Sequence, residues 1–222
     1  MIIAIDGPAG SGKSSTARGV ARRLGYLYLD TGAMYRAVAL AFLRSGADAT
    51  TEEASRLLPK LTIDIRYQDG EMQVVLDGSV VSEAIRDPKV GQMASRVSTL
   101  PTVRDKLVAE QQRIGQTFRE NPGVVIDGRD IGTVVFPDAD LKIFMVADAK
   151  VRAKRRQAEL AEKGTVMPFE EVLAEMQQRD RQDSERALSP LRRADDAIDL
   201  DTTHCTLGDQ IQFVIDKAGE RA

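Results

Sequence analysis

Five short apolar runs recur along the chain, and segments with helical spacing separate them. Each run has the length and the aliphatic, often β-branched composition of a strand that is buried on both faces. Because such strands alternate with helices, the sequence predicts an α/β fold with a five-stranded parallel sheet and helices on both faces. The predicted strands cover residues 2–5, 26–29, 124–127, 141–146 and 197–200.

Helical spacing is clearest directly after the first run. Ala17, Val20, Ala21 and Leu24 fall on one face of a helix, and Arg18 falls on the other. Capping residues, prolines and glycines mark where the other helices begin and end. These helices are predicted at about residues 33–45, 50–58, 88–100, 102–118, 149–162 and 168–182, with a last one around 211–218.

Residues 61–82 follow a different pattern. Apolar and polar positions alternate with period two over residues 61–67, and the Asp69-Gly70 and Asp77-Gly78 pairs are typical of tight hairpin turns. The pattern predicts a small antiparallel sheet inserted into an otherwise parallel fold. We expect a single domain over residues 1–222, with the insertion assigned to residues 61–86.

The composition is that of an ordinary globular protein, with 42% apolar and 29% charged residues among 222. No apolar run is long enough to span a membrane, and the first residues lead directly into a strand. We therefore expect no signal peptide, no membrane anchor and a cytoplasmic location. Cys205 and His204 are the single cysteine and the single histidine, which excludes an intrachain disulfide and metal sites built from pairs of these residues.

The charge distribution argues against a nucleic-acid partner. The net charge of −3 supplies no overall attraction to nucleic acid. Arginine makes up 22 of the 31 Lys and Arg residues, and its guanidinium binds phosphate through two parallel hydrogen bonds. We expect local phosphate-binding pockets and no nucleic-acid or membrane partner, while many of these arginines have a plain alternative as solvated surface residues.

The most informative motif, Gly7-x-x-x-x-Gly12-Lys13-Ser14, stands between the first strand and the first helix. Its glycines let backbone N–H groups point at phosphate oxygens, and the helix N-terminus adds positive charge. Lys13 brings charge to the β- and γ-phosphates, and the Ser14 hydroxyl is a ligand for Mg²⁺. The motif predicts a nucleoside triphosphate site with Mg²⁺, and the alternative is an ordinary glycine-rich turn. The predicted ATP-binding residues of this loop are Gly7, Pro8, Ala9, Gly10, Ser11, Gly12, Lys13, Ser14 and Ser15.

Charged residues follow the predicted strands at the same end of the sheet. Arg36 comes after the second strand, Arg129 and Asp130 after the third, and the charged run 179–186 later. Parallel sheets bind ligands beyond the carboxyl ends of their strands. Each group has a plain alternative: an exposed helical arginine, a surface turn held by an ion pair, or a solvated helix face. Their shared placement favours an anionic acceptor held by several arginines.

Phosphoryl transfer to a phosphate acceptor fits this set of residues. Both substrates are anionic, so catalysis depends on positioning and on neutralising charge. A phosphate acceptor is ionised at neutral pH and needs no general base, which agrees with a chain that has one histidine. Lys13 is expected to neutralise charge between donor and acceptor. Asp127, at the end of the third strand, is a candidate outer-shell partner of Mg²⁺ or, alternatively, a structural cap.

Four segments together resemble the bacterial cytidylate kinases, which are nucleoside monophosphate kinases of the P-loop class. The segments occur in the order and with the spacing of that family, and the resemblance covers nearly the whole chain. The antiparallel insertion resembles an extra β segment in the monophosphate-binding part of these enzymes. Thr31 stands where the family often has serine, so the hydroxyl is kept. The segments are residues 5–14, 29–36, 127–137 and 179–186.

The resemblance implies phosphoryl transfer from ATP·Mg²⁺ to CMP or dCMP, and it implies a role for each matching residue. Arg36, Arg129 and Arg186 would contact the acceptor phosphate, Arg179 and Asp183 the sugar, and Ser95, Arg104 and Asp130 the base, with Thr31 and Tyr35 also lining the acceptor site. Residues 152–167 resemble a lid on the ATP side, where Arg152 and Arg156 would bind ATP. Lys13, Arg129, Arg155 and Arg186 would be the catalytic residues.

The implied base contacts are consistent with the chemistry of cytosine. Its N4 amine is a donor that Asp130 can accept, and its N3 and O2 are acceptors that Arg104 and Ser95 can serve. Uracil presents a carbonyl oxygen where cytosine has the amine. The assignment therefore predicts a preference for CMP and dCMP over UMP.

Three other functions share part of the pattern. A different small-molecule P-loop kinase, such as a UMP- or shikimate-type kinase, would lack the insertion and the 179–186 cluster. A GTPase-like switch would need an Asn-Lys-x-Asp segment, which the chain does not contain. A nucleic-acid-stimulated ATPase fits poorly with the net charge of −3. A monomer is the expected state, because no long apolar stripe is left over.

Overall fold

The computed structural model describes residues 1–68, 70–162 and 164–221. Eight strands form two sheets, and eight α-helices of seven or more residues surround them within this part of the chain. The strands are β1 Ile2–Asp6, β2 Leu27–Asp30, β3 Ile63–Gln68, β4 Glu71–Leu76, β5 Ser79–Val80, β6 Val124–Gly128, β7 Leu141–Val146 and β8 Ile198–Asp201. The helices are α1 Lys13–Leu24, α2 Thr31–Ser45, α3 Thr51–Leu57, α4 Pro88–Val97, α5 Pro101–Phe118, α6 Ala149–Glu162, α7 Phe169–Glu185 and α8 Leu207–Gly219.

The main sheet has five parallel strands in the order β2-β6-β1-β7-β8, which confirms the predicted fold class. The register aligns the carboxyl ends of its central strands, since Asp6 lies opposite Gly128 and Asp30 lies opposite Asp127. Residues that follow β1, β2 and β6 therefore meet at one edge of the sheet. This edge is where the sequence places its phosphate-binding loop and its charged segments.

Helices cover both faces of the sheet because each central strand is apolar on both sides. On one face, Ile3 and Ile5 pack with Ala17 of α1 and Val214 of α8. On the other face, residues such as Ile2 and Ala4 join the larger core formed with α2, α4 and α5. The two cores fix α1 and α2 against the sheet, so the N-termini of both helices are held at the functional edge.

The predicted element boundaries differ from the structure by a few residues. Helix α2 begins at Thr31 instead of residue 33, because the Asp30 carboxylate accepts a hydrogen bond from the Ala33 N–H and caps the first turn. Helix α7 continues to Glu185, three residues beyond its predicted end. At α3, the Thr50 hydroxyl accepts from the Glu53 N–H, which is one half of the predicted capping box.

The insertion forms the second, antiparallel sheet in the order β3-β4-β5. Asp77 and Gly78 both have positive φ, as a two-residue hairpin turn requires, which confirms the second predicted turn. In the first predicted turn, Asp69 lies outside the described residues. The hydroxyl of Tyr67 donates to the backbone carbonyl of Tyr28 over 3.0 Å, so the insertion lies against the outer edge of β2.

None of the described helices has both the length and the apolar composition needed to cross a membrane.

Candidate phosphoryl-transfer site

The phosphate-binding loop turns sharply between β1 and α1. Gly7 has φ 149°, and a Cβ at this position would lie 2.2 Å from the backbone oxygen of Met145, so no other residue fits without moving β7. Gly12 has φ 95° in the left-handed region and immediately precedes α1. The two glycines allow the backbone to curl at the N-terminus of α1, where the helix dipole favours an anion.

Lys13 is buried in the loop at 5% exposure. Its ammonium donates to the backbone oxygen of Pro8 over 2.7 Å, which holds the side chain across the loop. Burial and the like charge of Arg129 hold the pKa of Lys13 below its ordinary value, against the carboxylates of Asp127 and Asp6. The charges of Lys13 in the loop, Asp6 at the end of β1 and Asp127 in β6 are therefore close enough to shift one another's pKa values.

Ser14 and Tyr28 both bind the carboxylate of Asp127. The Ser14 hydroxyl donates to one carboxylate oxygen over 2.7 Å, and the Tyr28 hydroxyl donates to the other over 2.9 Å. Burial raises the pKa of Asp127 to about 6, and the nearby charge of Asp30 adds to this rise. Because burial and the charge of Asp30 disfavour its ionised form, the Asp127 carboxylate would be stabilised by a nearby cation. Hydroxyl and carboxylate oxygens are ligands that Mg²⁺ prefers.

The start of α2 brings Thr31 and Arg36 to the same edge. The Thr31 hydroxyl donates to the backbone oxygen of Asp127 over 2.7 Å, which ties α2 to the end of β6. A terminal nitrogen of Arg36 donates to the Asp30 carboxylate over 3.1 Å, while its Nε is buried and has no hydrogen-bond partner. Arg36 therefore keeps a donor available for a ligand.

Arg129 and Asp183 form an ion pair between the end of β6 and α7, with Nε and the carboxylate oxygen 2.8 Å apart. Against the effect of burial, Arg129 holds the pKa of Asp183 below its ordinary value. Arg179 lies nearby: crowding by protein atoms and the like charge of Arg129 lower its pKa to about 10. Anionic ligands would relieve the repulsion between these guanidinium groups.

Asp130 receives two arginines from different elements. Arg104 of α5 donates to one carboxylate oxygen, and Arg186 places a terminal nitrogen 3.6 Å from the other. Asp130 and Arg104 are only 5% and 4% exposed. The Arg104 guanidinium lies over the ring of Tyr35, 5.7 Å from its centroid. These four residues form a compact polar cluster that we call the Asp130 cluster: Tyr35, Arg104, Asp130 and Arg186.

Ser95 lies in α4, one turn before Ser98, and Ser98 contacts Arg104 of the Asp130 cluster. Its backbone oxygen accepts from the Ser98 hydroxyl, and the backbone oxygen of Ser98 in turn accepts from Arg104 over 3.3 Å. The half-buried Ser95 thus borders the surroundings of Arg104, and no hydrogen bond joins its own hydroxyl to Arg104 or Asp130 within the described residues.

Several buried polar atoms at this edge have no hydrogen-bond partner. They include the Tyr35 hydroxyl, the Arg36 Nε and a terminal nitrogen of Arg186, all from residues that the sequence assigns to the acceptor site. Buried polar groups in proteins are nearly always hydrogen-bonded, so these three atoms are available to a polar ligand.

The three arginines of the predicted lid bind different partners in the structure. Arg152 lies at the phosphate-binding loop, where one terminal nitrogen donates to the backbone oxygen of Ala9 over 3.0 Å and to Asp180 over 2.6 Å. Arg155 donates to the backbone oxygen of Thr202 over 2.6 Å, and the Thr202 hydroxyl donates to the backbone oxygen of Ser11 in the loop. Arg156 pairs with Glu159 on the surface. Arg155 is thus linked to the phosphate-binding loop through Thr202, and the charge of Arg156 acts on Arg179 beside Arg129.

Three contributors to the site were missed at the sequence level. The buried Asp6 carboxylate accepts the N–H groups of Ile131 and Gly132, directly after Asp130. Its place at the end of a buried strand was a usable signal. Thr202 donates to the backbone oxygen of Ser11, and Gln210 accepts from Thr16 of α1. Neither belongs to a motif, because both act through contacts with residues almost two hundred positions away.

Comparison with known proteins assigns this arrangement to a family. A family model described as cytidylate kinase matches residues 3–220. A cytidylate kinase from Salinibacter ruber is 56% identical over 218 residues, which cover 98% of this chain and 96% of the relative. A cytidylate kinase from Chlorobaculum tepidum is 51% identical over 221 residues, covering 97% and 92% of the two chains.

Among solved structures, an uncharacterized protein from Eubacterium ventriosum is similar with a TM-score of 0.53. The match covers 100% of this chain and 99% of that one at 13% sequence identity. At this level of identity the likeness concerns the fold alone.

Proposed function

The chain belongs to the cytidylate kinase family, and we propose that it transfers the γ-phosphoryl group of ATP·Mg²⁺ to CMP or dCMP, giving ADP and CDP or dCDP. The observation that carries this proposal is the convergence of two sites at one sheet edge. The phosphate-binding loop with Lys13 supplies a donor site, and the arginines around Asp183 and Asp130 supply an acceptor site.

On the donor side, ATP would bind along residues 7–15. The backbone N–H groups of the loop and the N-terminus of α1 would face the phosphates, and Lys13 adds a buried positive charge. Arg152 supports this loop through its hydrogen bond to Ala9. Arg156 remains a candidate ATP ligand from the lid assigned to residues 152–167.

The residues present fit a magnesium ion beside the loop. Ser14 would be a direct ligand, and Asp127 would bind the ion through a water molecule, since its buried carboxylate already lies 2.7 Å from the Ser14 hydroxyl. Magnesium supplies charge neutralisation for the phosphates when it is bound. Among the described side chains, no group of three or more His, Cys, Asp or Glu is arranged to hold a metal, which agrees with an ion bound mainly by phosphate and water.

On the acceptor side, the monophosphate would be bound by Arg36, Arg129 and Arg186. Each presents a guanidinium that already meets a carboxylate of the protein, so its orientation is set before substrate binds. Arg179 and Asp183 would bind the sugar. The crowding of like charges around Arg129 makes this region complementary to an anion.

The base would be read by Arg104 and Asp130, with Ser95 as an additional hydroxyl. Arg104 uses three of its five N–H donors for Ser98, Asp130 and Ser189. The two that remain match the two acceptors of cytosine, N3 and O2. The Asp130 carboxylate still has lone pairs for the N4 amine, whereas uracil would direct a carbonyl oxygen at it.

Transfer itself requires no proton to be removed by the protein. An ionised oxygen of the acceptor phosphate attacks the γ-phosphorus, and the bond from that phosphorus to the bridging oxygen of ADP breaks. Lys13, Arg129 and Arg186 would hold the two phosphates in line and compensate their charge. Arg155 uses two of its five N–H donors for Thr202 and remains a candidate catalytic residue with the others.

The direct test is an ADP-release assay with ATP·Mg²⁺ and a panel of acceptors. We expect turnover with CMP and dCMP, weaker turnover with UMP, and none with AMP, GMP or shikimate. Turnover with UMP equal to that with CMP would keep the kinase and contradict the base contacts. An absence of turnover with every acceptor would contradict the proposed function.

The same proposal includes a cytoplasmic location, where ATP and mononucleotides are available, and a place in pyrimidine nucleotide metabolism. The monomeric state stays a prediction from the sequence, and analytical ultracentrifugation would test it.

A further inference from the structure

Ser189 has an unusual backbone conformation beside the Asp130 cluster. Its φ is 48°, in the left-handed region that residues other than glycine rarely adopt. It lies in the segment between α7 and β8 and is followed by Pro190, which prevents the chain from continuing as a helix. A serine kept in this conformation indicates that the surrounding contacts fix it there.

Both oxygens of Ser189 accept hydrogen bonds from arginines of the Asp130 cluster. Its hydroxyl oxygen accepts from Nε of Arg104 over 3.2 Å. Its backbone oxygen accepts from Nε of Arg186 over 2.7 Å. One residue thus binds the inner nitrogen of two guanidinium groups that come from α5 and from the end of α7.

These contacts determine where the outer nitrogens of the two arginines point. A guanidinium is planar and rigid, so fixing Nε and one terminal nitrogen fixes the whole group. Arg104 is held at Nε by Ser189 and at its two terminal nitrogens by the Ser98 backbone oxygen and by Asp130. These contacts set the direction of the two N–H donors that remain, and those two donors have no hydrogen-bond partner among the described residues.

We propose that Ser189 is a positioning residue for base recognition, with its hydroxyl orienting Arg104 toward cytosine and its left-handed backbone presenting an acceptor to Arg186. This inference rests on the proposed function, since it assigns Arg104 to the base. Within the described residues, the side-chain hydrogen bonds to Ser189 come from Arg104 and Arg186, which the proposed function places on the acceptor side.

The role predicts a specific kinetic pattern. Arg104 would contact the base equally in the ground state and in the transition state, so weakening its alignment raises KM and leaves kcat nearly constant. Loss of one hydrogen bond to a charged group corresponds to about a tenfold change in affinity. The preference for CMP over UMP falls as well, because a misaligned Arg104 no longer separates the N3 acceptor of cytosine from the N3–H donor of uracil.

Two substitutions separate the hydroxyl from the backbone conformation. Ser189→Ala removes the hydroxyl and keeps the strained backbone, whereas Ser189→Gly removes the hydroxyl and relieves the strain. We expect both variants to raise KM for CMP about tenfold, to change kcat less than twofold, and to lower the CMP/UMP ratio of kcat/KM. Ser55→Ala, at an exposed serine of α3, is the matched control and should leave all three values unchanged.

The measurements are steady-state kinetics with CMP and UMP, CMP titration calorimetry, and circular dichroism to verify folding. Failure of the wild-type protein to phosphorylate CMP would contradict the proposed function. An active wild type with unchanged KM and CMP/UMP ratio in Ser189→Gly would overturn the role of Ser189, even if Ser189→Ala did not fold. Wild-type KM in Ser189→Gly together with a raised KM in Ser189→Ala would show that backbone strain, and not loss of the hydroxyl, causes the change in KM.

Discussion

The hydroxyl of Ser14 donates a hydrogen bond to the carboxylate of Asp127 across 2.7 Å, and the two residues are 113 positions apart in the chain. Ser14 belongs to the first turn of α1, and Asp127 stands near the end of β6 in the centre of the sheet. The parallel pairing of β1 with β6 brings them together. The contact joins the phosphate-binding loop to the strand that leads into Arg129 and Asp130.

Asp127→Asn tests the magnesium assignment. The amide keeps the shape of the side chain and removes the charge that would attract the ion through water. We expect the concentration of free Mg²⁺ needed for half-maximal rate to rise about tenfold, which corresponds to about 1.4 kcal/mol, together with weaker MgATP binding in calorimetry. Tyr28→Phe, which removes one hydrogen bond to the same carboxylate, is the control and should have a smaller effect. An unchanged Mg²⁺ dependence would favour the structural-cap alternative.

Lys13→Ala tests the role of the loop lysine. Its buried ammonium is placed to neutralise charge that develops between donor and acceptor, so kcat should fall by about 10³-fold, in the range found for removal of a single electrostatic donor. Circular dichroism should show an intact fold, because the side chain contributes a hydrogen bond to Pro8 and little apolar packing. Normal turnover in a folded variant would refute the assignment.

Asp130→Asn tests base recognition. The amide can donate to the carbonyl of uracil, which the carboxylate cannot, so the CMP/UMP ratio of kcat/KM should fall by about tenfold or more. An unchanged ratio would show that Asp130 does not read the base.

Asp130→Ala provides a second measurement of the same residue. It leaves the buried Arg104 and the neighbouring Arg186 without their carboxylate, and removing one partner of a buried ion pair costs roughly 3–5 kcal/mol of stability. Denaturant unfolding measures this loss. A variant as stable as the wild type would indicate that the two arginines find other partners.

Asp6 should make stability depend on pH in the acid range. Burial raises the pKa of Asp6 to about 6 from an ordinary value of 3.8, although two backbone N–H groups oppose the rise. A folded pKa above the unfolded one means that the folded state binds more protons, so this contribution is fully present below about pH 4 and is lost as the pH rises through about 6. The loss is about 3 kcal/mol at 1.36 kcal/mol per pKa unit.

The comparison that isolates Asp6 is with Asp6→Asn, which cannot ionise. The stability of the wild type minus that of the variant should decrease between pH 4 and pH 7, as measured by urea unfolding. The difference cancels the titration of Asp127 and of other carboxylates, which the two proteins share. A difference that is constant with pH would contradict the raised pKa of Asp6.

The parts of the site that depend on local sequence were predictable. The glycines, Lys13 and Ser14 determine the geometry of the loop within a few residues of one another, and apolar strands place Asp127 and Arg129 at the same sheet edge. The side-chain partners were not predictable. Asp130 was expected to face the base, and it also receives two long arginine side chains from positions 26 and 56 residues away, whose conformations no local pattern specifies.

Arg155 is a second residue whose position was predictable and whose side-chain partner was not. Its position on α6 follows from helical spacing, which confirms the predicted helix over residues 149–162. Its guanidinium nevertheless binds Thr202 at the end of β8, a choice that depends on tertiary packing. The left-handed conformation of Ser189 is equally invisible in the sequence, because only glycine and asparagine signal such a backbone reliably.

The antiparallel insertion covers part of the outer edge of the parallel sheet. Strand β2 lies at the margin of the parallel sheet, and the insertion binds two of its outward backbone groups: the Tyr28 carbonyl accepts from Tyr67, and the Asp30 N–H donates to the sulfur of Met72. An uncovered strand margin is a template on which another chain can add a strand. Removal of the insertion would therefore expose the outer backbone groups of β2 to pairing with another chain.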